Sequence, residues 1–283
     1  MFQKAREDFL NYDFESAADL LEEYEAALKK AKKNPDQEFE IFSNQLNIAT
    51  NAFGRVQKIV VLDSIQIPRN SFFKALKTSA SAGSVGYIPS FNLKKPDLKS
   101  NDVAFLSEGR DYLIAPVANS DGELHLWESY KLGDGTWESH EIFSNEMTTT
   151  GDYAFPFMSG DGQTLYFANN GDDSMGGFDL FVVQKEPITG KTLQPLNLGM
   201  PFNSPYDDFM LVVDEEKGLA WLATDRNSPG GDVTLYLYLL DDIRQNYPAD
   251  TENLSELAKI SNYRLTWEEG KEKEYQQILN NLK

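Results

Sequence analysis

Cysteine is absent from the 283-residue chain. That excludes disulfides, thiolate zinc sites, iron–sulfur clusters and cysteine nucleophiles. It does not settle the compartment, because exported bacterial proteins also lack cysteine. Histidine is scarce, with only His125 and His140. No run approaches the ~20 apolar residues of a membrane-spanning helix. Basic residues are in deficit, 26 against 45 acidic ones, for a formal net charge of −19. Such a chain repels phosphate backbones, so general nucleic-acid binding is not expected. The acidic residues are spread along the sequence and read as a solvated surface.

Several catalytic signatures are missing as well. Ala82-Gly83-Ser84-Val85-Gly86 lacks the first glycine of a nucleophile elbow, and Ser71-Phe72-Phe73-Lys74 fits Ser-x-x-Lys without its companion motifs. There is no phosphate-binding loop and no dinucleotide fingerprint. Each histidine sits in an alternating strand pattern, a common place for a half-buried or surface side chain. Paired carboxylates of the glycosidase kind cannot be read from sequence, since their separation is three-dimensional. The expectation is a chain that is not an enzyme, with a glycosidase-type hydrolase as the remote alternative.

What is present begins with helices. Phe2, Ala5 and Phe9, then Phe14, Ala17, Ala18, Leu21, Tyr24 and Leu28, recur at three-and-four spacing. Asp13 is a candidate N-cap, and Asn34-Pro35 ends the second helix. A third helix is expected from about Asp36 to Phe53, with Phe39, Phe42, Leu46 and Ala49 on one face. The unit around Tyr12-Asp13-Phe14-Glu15-Ser16-Ala17 resembles a tetratricopeptide repeat, and one such unit cannot bury its apolar face alone. Either a helical brace for the β region or a peptide-binding role fits it. From Val56 to Pro68 the chain turns β-branched, as strands do. Ser71–Thr78 reads as a short helix or turn, and Ser79–Gly86 as a loop. The last forty or so residues return to helix, one carrying Leu254, Leu257 and Ile260 with Asp250 as cap, another carrying Tyr275, Ile278, Leu279 and Leu282.

Between these lies a repeat. Tyr112-Leu113-Ile114-Ala115, Leu165-Tyr166-Phe167-Ala168 and Ala220-Trp221-Leu222-Ala223 match in type, their first residues 53 and 55 positions apart. Each follows an apolar strand and a tight turn (Glu108-Gly109, Asp161-Gly162, Lys217-Gly218), and each precedes a polar loop and another strand. Such turns between short strands mark antiparallel hairpins, and a period near fifty points to propeller blades of about four strands.

Ser159-Gly160-Asp161-Gly162-Gln163-Thr164-Leu165-Tyr166-Phe167-Ala168, continued by Met175-Gly176-Gly177-Phe178-Asp179-Leu180-Phe181, resembles the WD40-like PD40 repeat of TolB-type β-propellers. Asn197-Leu198-Gly199-Met200-Pro201-Phe202-Asn203-Ser204-Pro205-Tyr206-Asp207-Asp208 is similar to the linker between such blades. The match is strong over about 152–240, and elsewhere it holds only in character. The chain is most similar to envelope proteins of Gram-negative bacteria that join a tetratricopeptide-like N-terminus to a few blades. The resemblance implies a periplasmic or surface-facing protein that contacts another envelope protein. The opening, Met1 to Asp8, turns acidic at once and lacks the apolar core of a signal peptide, so the expectation is a cytoplasmic chain or one whose leader has been removed. Three blades, or four if the Val56–Pro68 strand joins one, fall short of the six of TolB-type propellers and predict a small or incomplete one.

The expected architecture is therefore mixed α and β: a helical segment over 1–55, antiparallel propeller-like blades over 56–242, and a C-terminal helical segment over 243–283 packed on the blades. The expected function is a non-enzymatic interaction or scaffold module binding through blade loops. The alternative is a carbohydrate- or calcium-binding module. For calcium, Asn170, Asp172 and Asp173 supply oxygen ligands on a tight loop, although their spacing is not that of an EF-hand and any turn selects the same residues. There, Gly176-Gly177 is expected to permit a bulge or a left-handed backbone, with Asp179 bonding loop amides. Trp137, Met175, Tyr206 and Asp207 are the candidate interaction surface.

Overall fold

Asp13 and Asp36 carry the local signals that start the second and third helices. Asp13 accepts from Ser16 N at 3.2 Å, ahead of α2 (Phe14–Lys30), and Asp36 accepts from Phe39 N at 2.9 Å, ahead of α3 (Gln37–Phe53). Helix α1 (Phe2–Leu10) precedes them. Their apolar faces meet through Phe9, Phe14, Leu21, Phe39, Phe42 and Leu46, but the cluster does not close on itself. It also takes in Met175, Met200, Leu254 and Ala258 from later in the chain. The computed structural model describes residues 1–94, 98, 100–143, 150–187, 189–228, 231–241 and 243–282.

The three repeats build three antiparallel sheets. The first is β2 (Ser84–Tyr87), β3 (Val103–Leu106), β4 (Tyr112–Ala118), β5 (Leu124–Lys131) and β6 (Trp137–Glu141), in that spatial order. The second contains β7 (Tyr153–Met158), β8 (Thr164–Asn169), β9 (Asp179–Gln184) and β10 (Leu196–Asn197), again in sequence order. The third contains β11 (Asp208–Asp214), β12 (Leu219–Thr224) and β13 (Asp232–Leu239), and its fourth strand is β1 (Val60–Pro68), which pairs antiparallel with β13 from Val60↔Leu239 to Pro68↔Asp232. The 56–68 segment thus completes the third sheet, and no fourth sheet forms among the described residues.

Strand β7 packs on β3, β4 and β5, and β11 packs on β7, β8 and β9, so each repeat's first strand lies against the preceding sheet. Phe105, Phe157, Phe167, Phe181, Phe209 and Leu211 share the resulting core. All of β11 is buried, which explains why Asp208-Phe209-Met210-Leu211-Val212-Val213 shows no alternation.

Two local expectations are corrected. Ser79–Gly86 is not only loop, because Ser84–Tyr87 forms β2 against β3. Its small residues hide it: a Cβ on Gly83 (φ 72°) would come within 2.7 Å of Leu106 O. Asp250 does not cap the helix beyond it. Helix α4 (Leu254–Lys259) begins after Asn253, which is left-handed at φ 60° and makes no side-chain cap bond. The last helix, α5 (Glu272–Leu282), lays Tyr275 against Leu62, Leu219 and Leu237 of the third sheet. No helix among the described residues is long and apolar enough to cross a membrane.

Candidate binding site

The glycine-rich loop between β8 and β9 was the strongest polar signal in the sequence, and its donors and acceptors are largely spent on itself and its neighbours. Asn169 Oδ1 accepts from Gly171 N at 3.0 Å, and Asn170 Oδ1 accepts from Asp152 N at 2.7 Å. Asn44 of α3 donates to Asp172 O at 2.6 Å, and Asn197 donates to Asp173 O at 3.0 Å. Asn170, Asp172 and Asp173 are exposed. No group of three or more His, Asp or Glu placed to hold a metal ion occurs among the described residues. The fit to calcium is poor: Asn170 already serves a backbone amide, leaving two exposed carboxylates of the six to eight oxygens the ion needs.

Gly176-Gly177 is required for close approach. Neither glycine is left-handed. A Cβ on Gly176 would lie 2.2 Å from Tyr206 O, and one on Gly177 would lie 1.9 Å from Asp207 Oδ1. The loop is thereby pressed onto 204–207, and Gln45 of α3 holds Gly176 O at 2.7 Å. Asp179 closes it from inside, accepting from Met175 N (3.0 Å), Gly176 N (3.2 Å) and Asn197 Nδ2 (2.9 Å). Complete burial pushes its carboxyl up to about 7, against the pull of those three donors toward the charged form.

The four candidate interaction residues do not form one surface. Trp137 and Met175 are buried, at 6% and 0% exposure. Trp137 packs with Ile88, Phe91 and Leu113 beside the first sheet, while Met175 packs among the helices. Trp137 is core because it opens β6 with its side chain turned under the first sheet, and Met175 because its loop folds inward. Tyr206 and Asp207 are half-buried and work at the helix–sheet junction: Tyr206 Oη reaches Leu10 O at 3.4 Å, and Asp207 Oδ1 accepts from Phe178 N at 2.9 Å. Asp207 also pairs at 3.2 Å with Arg69, whose guanidinium lies 4.1 Å from the Phe209 ring centre.

Sequence reasoning missed the most buried charge. Arg226 (1% exposed) pairs with Asp208 (0%) and donates to Pro201 O at 2.7 Å, Phe202 O at 2.6 Å and Ala258 O at 3.4 Å. One guanidinium thus binds the inter-repeat linker, β11 and α4. Tyr12, left-handed at φ 64°, enters the same centre from the α1–α2 turn, near enough for both charges to act on its hydroxyl. Burial pushes Asp208 up while Arg226 pulls it down. Arg226-Asn227-Ser228 reads as a surface turn, and nothing local announces the pairing.

The histidines are placed for structure. Glu141 lies 2.5 Å from His125 Nδ1 and Asn119 lies 3.2 Å from Nε2, so both ring nitrogens are engaged. His140 is exposed, 3.7 Å from Glu138.

A cleft of about 800 Å³ opens behind the third sheet. Three stretches of the chain enclose it: 57–60, 238–241 with 243–247, and 265–275. Its floor includes Phe202, Leu211 and Tyr238, with Tyr166 from the second sheet. Lys58 and Arg244 face it from one wall, Glu268, Lys271 and Glu274 from another. Glu268 pairs with Lys271 at 2.7 Å, and Asp241 accepts from Ile243 N at 2.9 Å. All three acids of this cleft are exposed, so none has the apolar enclosure that raises a glycosidase's general acid.

Compared with known proteins, the chain matches no protein-family model and no curated protein.

Proposed function

We propose that the chain is a non-enzymatic recognition and scaffold module of the bacterial envelope, facing the periplasm or the cell surface. In this reading the three sheets are blades of a small propeller whose loops meet a partner protein. The observation that carries it is where the buried polar groups are used. Arg226, Asp208, Asp179 and Asn203 all bind backbone or one another at the junction of linker, sheets and helices. They make a rigid frame at that junction. The blade reading is supported by the repeat order. Each repeat lays down its first three strands side by side, and the third sheet takes its outer strand from before the first repeat, tying the two ends together. Rigid repeats that carry variable loops serve recognition more readily than chemistry.

The test is affinity capture of the tagged chain from solubilised bacterial envelope, repeated with the tag on the recovered partner. A stoichiometric partner that survives moderate salt and is lost on Asp172→Lys or Asp121→Lys in the loops supports the reading. Failure to recover any stoichiometric protein in either direction refutes it.

A further inference from the structure

The cleft behind the third sheet carries an inference separate from the blade loops. Its charge is unusual for this molecule. Acidic residues exceed basic ones by 45 to 26, yet Lys58 and Arg244 face the cleft with no carboxylate within ion-pair distance among the described residues. Their placement is fixed by backbone pairing: Gln57 bridges Asn246, and Lys58 N donates to Gln245 O at 2.7 Å. The two cations therefore sit on one short ribbon at the cleft wall. The opposite wall bears the Glu268–Lys271 pair and Glu274, and an apolar floor lies between.

We propose that this cleft binds a short acidic polypeptide segment, with a carboxylate against Lys58 and Arg244 and a neighbouring apolar side chain against Tyr166, Ile243 and Leu265, the accessible apolar groups of its lining. The chemistry separates this ligand from others. Glycans need open aromatic faces, and these are taken. Phe202, Tyr238 and Tyr275 are buried, Trp267 lies between Tyr275 (5.5 Å) and Arg264 (5.8 Å), and Lys58 covers the Tyr247 ring at 5.6 Å. A polyphosphate has no apolar group to set against Tyr166, Ile243 and Leu265, which line the same cleft. An acidic peptide presents carboxylates and apolar groups at short intervals, the first for Lys58 and Arg244 and the second for the apolar lining. The volume suits a ligand of several side chains.

The experiment uses the full chain and a fluorescein-labelled pool of octapeptides in which Asp or Glu alternates with Leu, Phe or Tyr, followed by anisotropy. Saturable binding is expected, weakening as salt rises. Lys58→Glu and Arg244→Glu should each weaken it about tenfold or more while leaving the melting temperature in place, since both side chains are exposed. Asp172→Lys, on a blade loop, should leave peptide binding unchanged, so loss of the blade-loop partner and loss of this site are distinguishable. No saturation at millimolar peptide, equal binding by both charge-reversal variants, or preferential binding of an oligogalacturonate probe would each overturn the proposal.

Discussion

Replacing Arg226 by methionine tests whether one guanidinium holds linker, sheet and helix together. The substitution keeps much of the buried volume and removes the partner of Asp208, which is itself fully buried. It also strips the donors from Pro201 O (2.7 Å) and Phe202 O (2.6 Å). An uncompensated buried charge costs about 3–5 kcal/mol. Each orphaned carbonyl adds about 1 kcal/mol, for a total of about 5–7 kcal/mol. That rivals the whole stability of an ordinary domain, about 5–15 kcal/mol. Urea unfolding followed by tryptophan emission reads the loss directly. Asp208→Asn removes the stranded charge, so the double variant Arg226→Met/Asp208→Asn should recover part of the loss, with a coupling energy of about 2 kcal/mol. Arg226→Lys keeps the charge without the fork and should fall between. A loss below about 1 kcal/mol in Arg226→Met, or strict additivity in the double variant, would refute the reasoning.

Asp179 predicts a pH dependence. Its folded carboxyl sits near 7, above its ordinary 3.8, so the native state holds a proton that the unfolded chain has already lost. Its contribution is fully present below pH 3.8 and is lost as pH rises through about 7, a change of about 4 kcal/mol at ~1.4 kcal/mol per unit. Urea midpoints between pH 5 and 8 should fall more steeply for the natural chain than for Asp179→Asn, and parallel profiles would sink the assignment. Gly176→Ala drives a Cβ to 2.2 Å from Tyr206 O, where backbone cannot yield cheaply, and should lower stability by about 2 kcal/mol or more. Gly54→Ala, with nothing nearer than 3.6 Å, is the control and should change little in the same melts. Hydrogen exchange should open the edge strands β2 and β6 before β11, because β11, although the edge of its own sheet, is buried along its whole length against β7, β8 and β9.

The repeat strands were legible because their apolar tetrads fall on equivalent strands, the first one displaced by a single position: Leu113, Leu165 and Ala220 are buried opposite Leu106, Met158 and Val213 in turn. Helix starts were legible where an aspartate did the capping, and Asp13 and Asp36 both do. What stayed hidden is long-range. Strand β1 was visible as a strand, but its pairing of Val60 with Leu239 has no local sign. The cleft takes its walls from three stretches that are ordinary taken singly. Trp137 and Met175 misled for the reverse reason. Large side chains beside polar loops suggest recognition, but Trp137 opens β6 as a core residue and the loop bearing Met175 turns inward. The Gly-Gly motif was correctly singled out and wrongly explained, since sequence shows that a side chain is excluded without showing what excludes it.

The three sheets are alike in strand order and unlike in how they are held, and that difference bears on how the chain works. Between the first and second sheets the contact is mostly aromatic and aliphatic, with polar links in which Lys185 binds Glu128 beside Tyr112 and Leu124 N donates to Asp152 Oδ1 at 2.9 Å. Between the second and third sheets the linker 197–208 is fixed by Asn203, Asp179, Asp208 and Arg226, and the helices seat on that same linker through Tyr12, Met200 and Ala258. Polar networks of this kind are costly when partly satisfied, so they resist intermediate arrangements. Apolar packing tolerates small slides without leaving any group unpaired. The helical segment accordingly packs on the glycine-rich loop of the second sheet and on the linker to the third. Relative movement is easiest at the first sheet, whose edge strands are short and whose attachment is mostly non-directional. The acidic-peptide cleft lies behind the third sheet, where Lys58 and Arg244 are held in fixed relation by the 57–246 bridge. A site that recognises charge at defined spacing needs that rigidity, and the chain places it where the buried network supplies it.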